Sequence, residues 1–297
     1  MGKTGGTLQL VLGACDAWRR SGSCHRSIGA ALVVLSRSVK DNGFILVSLV
    51  RNEFLTRYTN TMLVVLWSLI NPLVMILIYS FVFAVIFQVR FDRLEGAADM
   101  PYGIILFSGL LLLIFLAEPP LRSQAVILEN SNYVKRVIFP LEIPPVAMLL
   151  ANLFHACVAL LVLMAVILIA GFPIPLTALL LPVVWAPLVL ITLGLAMIVA
   201  SLGVFARDIG QVLGFLMTIL MFGSSILFPA DMLPEAVRPW LMLNPLTIIV
   251  DQTRAVLLWG EMPNWRLLGY HAVVSAAVAW IGCWWFLRTR RGFADVM

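Results

Sequence analysis

"VAMLLANLFHACVALLVLMAVILIAGFPIPLTALLLPVVWAPLVLITLGLAMIVASLGVFARDIG", residues 146–210, holds no Asp, Glu, Lys or Arg before Arg207. It divides at the five-residue "GFPIP" (171–175) into two apolar runs, 146–170 and 178–205. A membrane-crossing helix needs about 20 apolar residues, and both runs exceed that. Neither alternates apolar with polar residues, so a barrel strand is excluded and a helix expected. A second tight turn, "RDIG" (207–210), leads into a third run at 209–228. Turns this short predict three neighbouring helices, antiparallel in chain order.

The rest of the chain agrees with that reading. Of its 297 residues 62% are hydrophobic and only 12% charged, and the mean hydropathy is +1.01. A soluble domain of this size carries about twice that share of charge. The expected class is an all-α membrane protein. Its net charge of +5 then reports orientation rather than nucleic-acid binding. Cys15, Cys24, Cys157 and Cys283 form no CxxC pair and no cluster with His25, His155 or His271, so neither a disulfide framework nor a metal site is expected. "LGAC" ending at Cys15 resembles a lipoprotein cleavage box, but Arg19, Arg20 and Arg26 follow at once and oppose translocation. "GKT" at Gly2 to Thr4 lacks the upstream glycine of a phosphate-binding loop.

Six spans are expected, at about 62–87, 102–118, 146–170, 178–205, 209–228 and 267–287. Eight cations precede the first (Lys3, Arg19, Arg20, Arg26, Arg37, Lys40, Arg51, Arg57). Arg122, Lys135, Arg136, Arg207, Arg288, Arg290 and Arg291 fall on the same side, and only Arg90, Arg93, Arg238, Arg254 and Arg266 on the other. That bias predicts both termini in the cytoplasm.

Residues 1–43 read as a weakly ordered cytoplasmic extension. In "FILVSLVRNEFLTRYTN", Val47, Val50, Phe54 and Tyr58 recur at helical spacing while Arg51, Glu53 and Arg57 fall elsewhere on the wheel. This predicts an amphipathic interface helix over 44–60, with a plain basic stop before the span as the alternative. Residues 228–265 are too polar to span and too apolar for an open loop. They divide at Asn244-Pro245 into two short helical stretches, since proline suits a helix start. Two re-entrant outer helices between spans five and six are expected; a hairpin lying on the membrane surface is the alternative.

No catalytic set is visible. His155 beside Asn152 reads as a helix–helix hydrogen bond. The spans are nearly free of carboxylates, with Glu118 at the end of the second, which argues against a proton-coupled carrier or a membrane enzyme. Most tryptophans near span ends suit the interfacial belt. Trp67, Tyr79, Phe222 and Phe228 are the aromatic candidates for lining a path.

Several stretches together resemble the membrane subunit of type-2 ABC exporters, closest to the permeases for O-antigen and other polysaccharides. They are "LWSLINPL" (66–73), "NSNYVKRVIFPLEIPP" (130–145), "ARDIGQVL" (206–213), "LPEAVRPWLMLNPL" and "VDQTRAVLLWGEMP". The resemblance covers 44–297, an exporter transmembrane domain. One stretch departs: family members often carry "(S/T)PI-x-Y-P" near the end of span five, and "SSILFP" here puts Ser225 for that proline and Phe228 for the tyrosine.

What the resemblance implies is a homodimer of this chain in the bacterial inner membrane, bound to two copies of a cytoplasmic ATPase. ATP and magnesium would be bound by that ATPase and no cofactor by this chain. The substrate would be a lipid-linked polysaccharide moved outward. Small-amphiphile export and, less in keeping, a lipid-modifying enzyme are the rivals. Asn130, Tyr133, Lys135, Arg136, Phe139, Arg207 and Asp208 would face the ATPase as coupling residues. Arg238, Asn244, Pro245, Asp251 and Arg254 would form an outer gate.

Overall fold

A computed structural model describes residues 31–56, 64–82, 100–129, 140–206, 208–227, 241 and 244–293. Among the described residues regular structure is helical throughout: α1 (Ala31–Asp41), α2 (Gly43–Thr56), α3 (Val64–Phe81), α4 (Tyr102–Glu129), α5 (Ile143–Ile169), α6 (Leu181–Phe205), α7 (Ile209–Phe222), α8 (Pro245–Arg254) and α9 (Trp265–Thr289). A 3₁₀ turn, Leu176–Leu180, leads directly into α6, and a π turn, Ala255–Trp259, extends α8. Among the described residues, four segments are long and apolar enough to cross a membrane: Tyr102–Glu129, Ile143–Ile169, Leu176–Phe205 and Trp265–Thr289. Two shorter apolar helices, Leu69–Phe81 and Ile209–Phe222, accompany them. This is a multi-pass membrane protein.

The helix starts follow from local chemistry. Pro144 and Pro145 open α5, where their missing N–H groups cost nothing. Asn244 caps α8, its side chain accepting from Leu246 N at 3.0 Å, and Pro245 follows it. Asn264 caps α9 in the same way, through the N–H groups of Arg266 and Leu267. The π turn ends at Gly260, whose φ of 71° is the left-handed geometry that glycine adopts without a Cβ penalty.

The apolar core centres on α4. In its apolar window 78% of residues are buried, against 28% for α5 and 33% for α9, so α4 is the inner helix and those two form the periphery. It packs against α3, α5, α6, α7 and α8. The expected neighbours are in contact, but they are not the main partners. α6 packs chiefly on α4 and α9, and less on α5 and α7, to which the short turns join it. The cause is backbone approach: a Cβ on Gly194 would lie 2.5 Å from Val278 O, and one on Gly282 would lie 2.3 Å from Gly194 O. Two facing glycines let α6 and α9 come closer than any other side chain permits.

Several expected boundaries move. The second span, expected at 102–118, continues as helix to Glu129 through Pro119 and Pro120. The fifth, expected at 209–228, ends its regular helix at Phe222 and turns through Leu227. Part of the extension read as weakly ordered is α1, whose Ala31, Val34 and Leu35 recur at three- and four-residue spacing and are buried, the helix lying against α9. Its arginine and lysine neighbours hid that stripe. A helix is present where one was expected over 44–60, as α2, with residues 57–60 outside the described residues. Its protein-facing side is Leu46 with Ile45, Leu49 and Val50 rather than Val47, which is exposed.

Candidate functional site

Two constellations emerge, one at each end of α4. At the Glu129 end, two ion pairs frame the gap between α4 and α5. Arg122 on α4 meets Glu53 on α2 at 2.7 Å, and Arg290, just past α9, meets Glu142, just before α5, at 3.2 Å. The first is part-exposed and contributes at most about 1 kcal/mol; the second is more enclosed, at 17% and 5% side-chain exposure. Together they hold the two ends between which residues 130–139 must run. A cavity of about 300 Å³, lined by Asn52, Glu53, Arg122, Glu129 and Pro144 among others, lies beside them. Of the expected coupling residues, Asn130, Tyr133, Lys135, Arg136, Phe139 and Arg207 lie outside the described residues, and Asp208 is exposed at the start of α7.

Just inward of this frame α4 carries its two prolines. Pro119 has no N–H to give the carbonyl of Phe115, four residues earlier, and in an apolar surround that carbonyl needs another donor. Asn152 of α5 supplies it, Nδ2 lying 3.2 Å from Phe115 O. The expected helix–helix hydrogen bond near His155 thus exists through Asn152, and Pro119 is its physical reason.

At the Tyr102 end, α8 is sewn into the bundle. Leu246, Ile249 and Val250 are fully buried in the main core, as are Val256 and Leu257 of the π turn. Arg254 is 2% exposed. Its Nη1 donates to Ser225 O at 2.6 Å, its Nη2 to Ile226 O at 2.9 Å and Ile105 O at 3.1 Å, and its Nε to Ser108 Oγ at 3.4 Å. The planar fork reaches acceptors on two elements at once, which a lysine cannot do. Asp251, one turn back, accepts from Ser225 Oγ at 2.6 Å. Asn244 Nδ2 donates to Leu220 O and Gly223 O, and Tyr102 Oη donates to Leu227 O.

These contacts share one purpose. The last carbonyls of a helix, and those of the turn that follows it, have no intrahelical partner; at and just past the end of α7, Leu220 and Gly223 receive donors from Asn244, Ser225 and Ile226 from Arg254, and Leu227 from Tyr102. Further bonds hold the other faces of α8 and its π turn: Trp185 Nε1 to Thr253 Oγ1 at 3.3 Å, Thr177 Oγ1 to Val256 O at 2.7 Å, and Asn264 N to Gln252 Oε1 at 2.6 Å. His271 Nε2 lies 2.8 Å from Pro245 O, and its Nδ1 2.8 Å from Ser275 Oγ.

Asn244, Pro245, Asp251 and Arg254, expected to act together as a gate, are indeed brought together with the end of α7. Arg254 is nevertheless a buried anchor rather than a surface cation. Arg238 and Phe228 lie outside the described residues, as does the side chain of Trp67. Tyr79 is half-buried against the core and Phe222 is exposed at the end of α7. Sequence reasoning missed Ser108, Ser225 and Tyr102. The one available signal was the departure at Ser225: a hydroxyl replaces the proline of the similar stretches, and that hydroxyl binds Asp251. Among the described residues no group of three or more His, Cys, Asp and Glu is placed to hold a metal ion.

Comparison with known proteins places this architecture. A permease protein of the O-antigen export system in Myxococcus xanthus is 25% identical over 266 residues, covering 89% of this chain and 99% of the relative. One from Klebsiella pneumoniae is 22% identical over 254 residues, 85% of this chain and 95% of the relative. The polysialic acid transport protein KpsM of Escherichia coli is 26% identical over 234 residues, 77% of this chain and 87% of the relative. The model of the ABC-2 type transporter family matches residues 46–258, which span α2 to α8 with the ion-paired frame at Arg122 and the Arg254 anchor. The chain belongs to the ABC-2 type transporter family.

Proposed function

We propose that this chain is the permease of an ATP-driven exporter that moves lipid-linked polysaccharide outward across the bacterial inner membrane. The observation that carries the reading is similarity to O-antigen and polysialic acid permeases along most of their own length. In this reading α3, α4, α5, the 176–205 segment, α7 and α9 are six spans with both termini cytoplasmic. Two copies of the chain pair about a two-fold axis, because one set of six helices offers only half of a polymer-sized path. Two cytoplasmic ATPase subunits bind ATP and magnesium.

The division of labour follows from the two constellations. The ATPase pushes on residues 130–139, where Lys135 and Arg136 offer cations to it. The Glu53–Arg122 and Glu142–Arg290 pairs brace the helix ends on either side, so the push displaces α4 and α5 rather than the loop alone. At the outer end α8 re-enters the membrane, and its latch to α7 makes any gate motion a joint motion of both. Deleting the gene and locating lipid-linked polysaccharide tests the substrate: accumulation on the cytoplasmic side is expected, and unchanged export refutes the reading. Lys135→Glu with Arg136→Glu is expected to weaken ATPase co-purification or uncouple hydrolysis from export. Unchanged association together with unchanged export refutes that role.

A further inference from the structure

α1 and α2 form one bent helix that the transport reading leaves unused. Across their junction Asn42 N donates to Ser38 O at 3.1 Å and Leu46 N to Asn42 O at 3.0 Å, each four residues back, so helical bonding runs on through Asn42. From Ala31 to Thr56 the helix extends roughly 39 Å along its axis. α1 packs against α9 and α2 against α5. The inward residues Ala31, Leu35 and Leu46 share one buried cluster with Ile143 and Ala147 at the start of α5 and with Cys283 and Phe286 near the end of α9. A helix that joins two spans at their ends runs across them as a girdle, level with the membrane boundary.

The outward side of this girdle is a single stripe. Val33, Arg37, Lys40, Phe44, Val47 and Arg51 succeed one another at alternating spacings of four and three residues, which keeps them on one face through the junction. All six are exposed, Phe44 at 89% and Val47 at 66%. Among the described residues none of the three cations is ion-paired. The two carboxylates of the helix lie off the stripe. Glu53 turns inward to Arg122, and Asp41 sits about 100° around the axis from Lys40.

We propose that this stripe binds the anionic phospholipids of the leaflet beside it, phosphatidylglycerol being the simplest. Composition decides the partner. A face for water alone does not group so exposed a phenyl ring with two exposed valines, and a face for acyl chains alone carries no unpaired cations. Apolar side chains at the acyl boundary, beside cations at phosphate depth, suit a helix lying in the plane of an anionic leaflet. Direction agrees. The stripe lies opposite the side packed on α9 and α5, so it points out of the flank of the bundle, where lipid lies, and not toward a subunit docked on its end. The family match begins at residue 46, so Arg37, Lys40 and Phe44 belong to a part of the chain outside it. Lipid bound there ties the ends of α5 and α9 to the leaflet, whatever the transported substrate.

The test uses the full chain purified in detergent, delipidated, and incubated with equal amounts of phosphatidylglycerol, phosphatidylethanolamine and phosphatidylcholine. Retained lipid is extracted and counted by mass spectrometry. Three cations near the phosphates are expected to favour phosphatidylglycerol over the two zwitterionic lipids by about tenfold or more. Arg37→Gln, Lys40→Gln and Arg51→Gln together are expected to cut that preference by about tenfold. Should the triple variant fold poorly, Arg37→Gln alone is expected to cut it by about threefold. Arg266→Gln removes an exposed cation at the opposite end of α9 and is expected to leave the preference unchanged. Phe44→Ser keeps every charge and is expected to lower retention of phosphatidylglycerol by about threefold. Equal retention of the three lipids by the unaltered chain overturns the proposal. So does a preference that survives the triple variant, or one that Arg266→Gln lowers as much. A triple variant that keeps its lipid but loses a co-purifying ATPase assigns the stripe to that protein and overturns the proposal as well.

Discussion

Replacing Arg254 with methionine keeps the length and apolar stem of the side chain and removes its donors. Ile105 O keeps a donor in Ser108 Oγ at 2.7 Å, but Ser225 O and Ile226 O lose theirs. Each hydrogen bond from a charged donor contributes about 1.5–3 kcal/mol, and Asp251 loses the cation one turn away. Because these terms share one side chain they do not add in full, and a total of about 3–5 kcal/mol is expected, the range for breaking a buried charge pair. For a chain of this size that lowers the midpoint of thermal unfolding by roughly 6–15 °C. The assay is the fraction of detergent-solubilised protein that stays monodisperse after heating, since unfolding of such a protein is a rate process. Arg254→Lys is expected to fall nearer the methionine variant than the unaltered protein, because an ammonium cannot span acceptors on two helices. Asp251→Asn should cost less in the Arg254→Met background than alone, with a coupling of about 1–3 kcal/mol. A methionine variant within about 2 °C of the parent refutes the idea that the fork anchors the end of α7.

Two further expectations come from the backbone. Asn152→Leu should destabilise by about 1 kcal/mol in the parent and by almost nothing in Pro119→Ala, where residue 119 regains the N–H that serves Phe115 O; equal costs in both backgrounds refute the compensation. Gly194→Val should abolish folded yield in detergent extracts, because its Cβ would meet the backbone of α9 at 2.5 Å. Val158→Ala, on a peripheral helix, should leave yield unchanged. Wild-type yield from the glycine variant refutes the close crossing.

What the sequence by itself determined is what depends on neighbours along the chain. The runs at 146–170 and 178–205 had to be helices, since only hydrogen bonding within the segment satisfies a backbone in lipid. Asn244-Pro245 and Pro144-Pro145 had to start helices, because a proline ring and a short polar side chain act within one turn. Order alone also decided which stretch follows which, enough to carry the family resemblance. Only the tertiary structure decided which helix lies inside. α4, expected as one span among six, proved the centre, because burial depends on how many partners surround a helix and not on its own hydropathy. The same holds for Arg254. On the sequence it was one cation one turn from one carboxylate, as suited to a wet gate as to a buried anchor. Its acceptors sit 29, 28, 149 and 146 residues away, and no local pattern encodes contacts at that separation. Ser225, Ser108 and Phe115 O gain meaning only when folding brings a donor or acceptor to them, in a medium where an unmet polar group is too costly to leave.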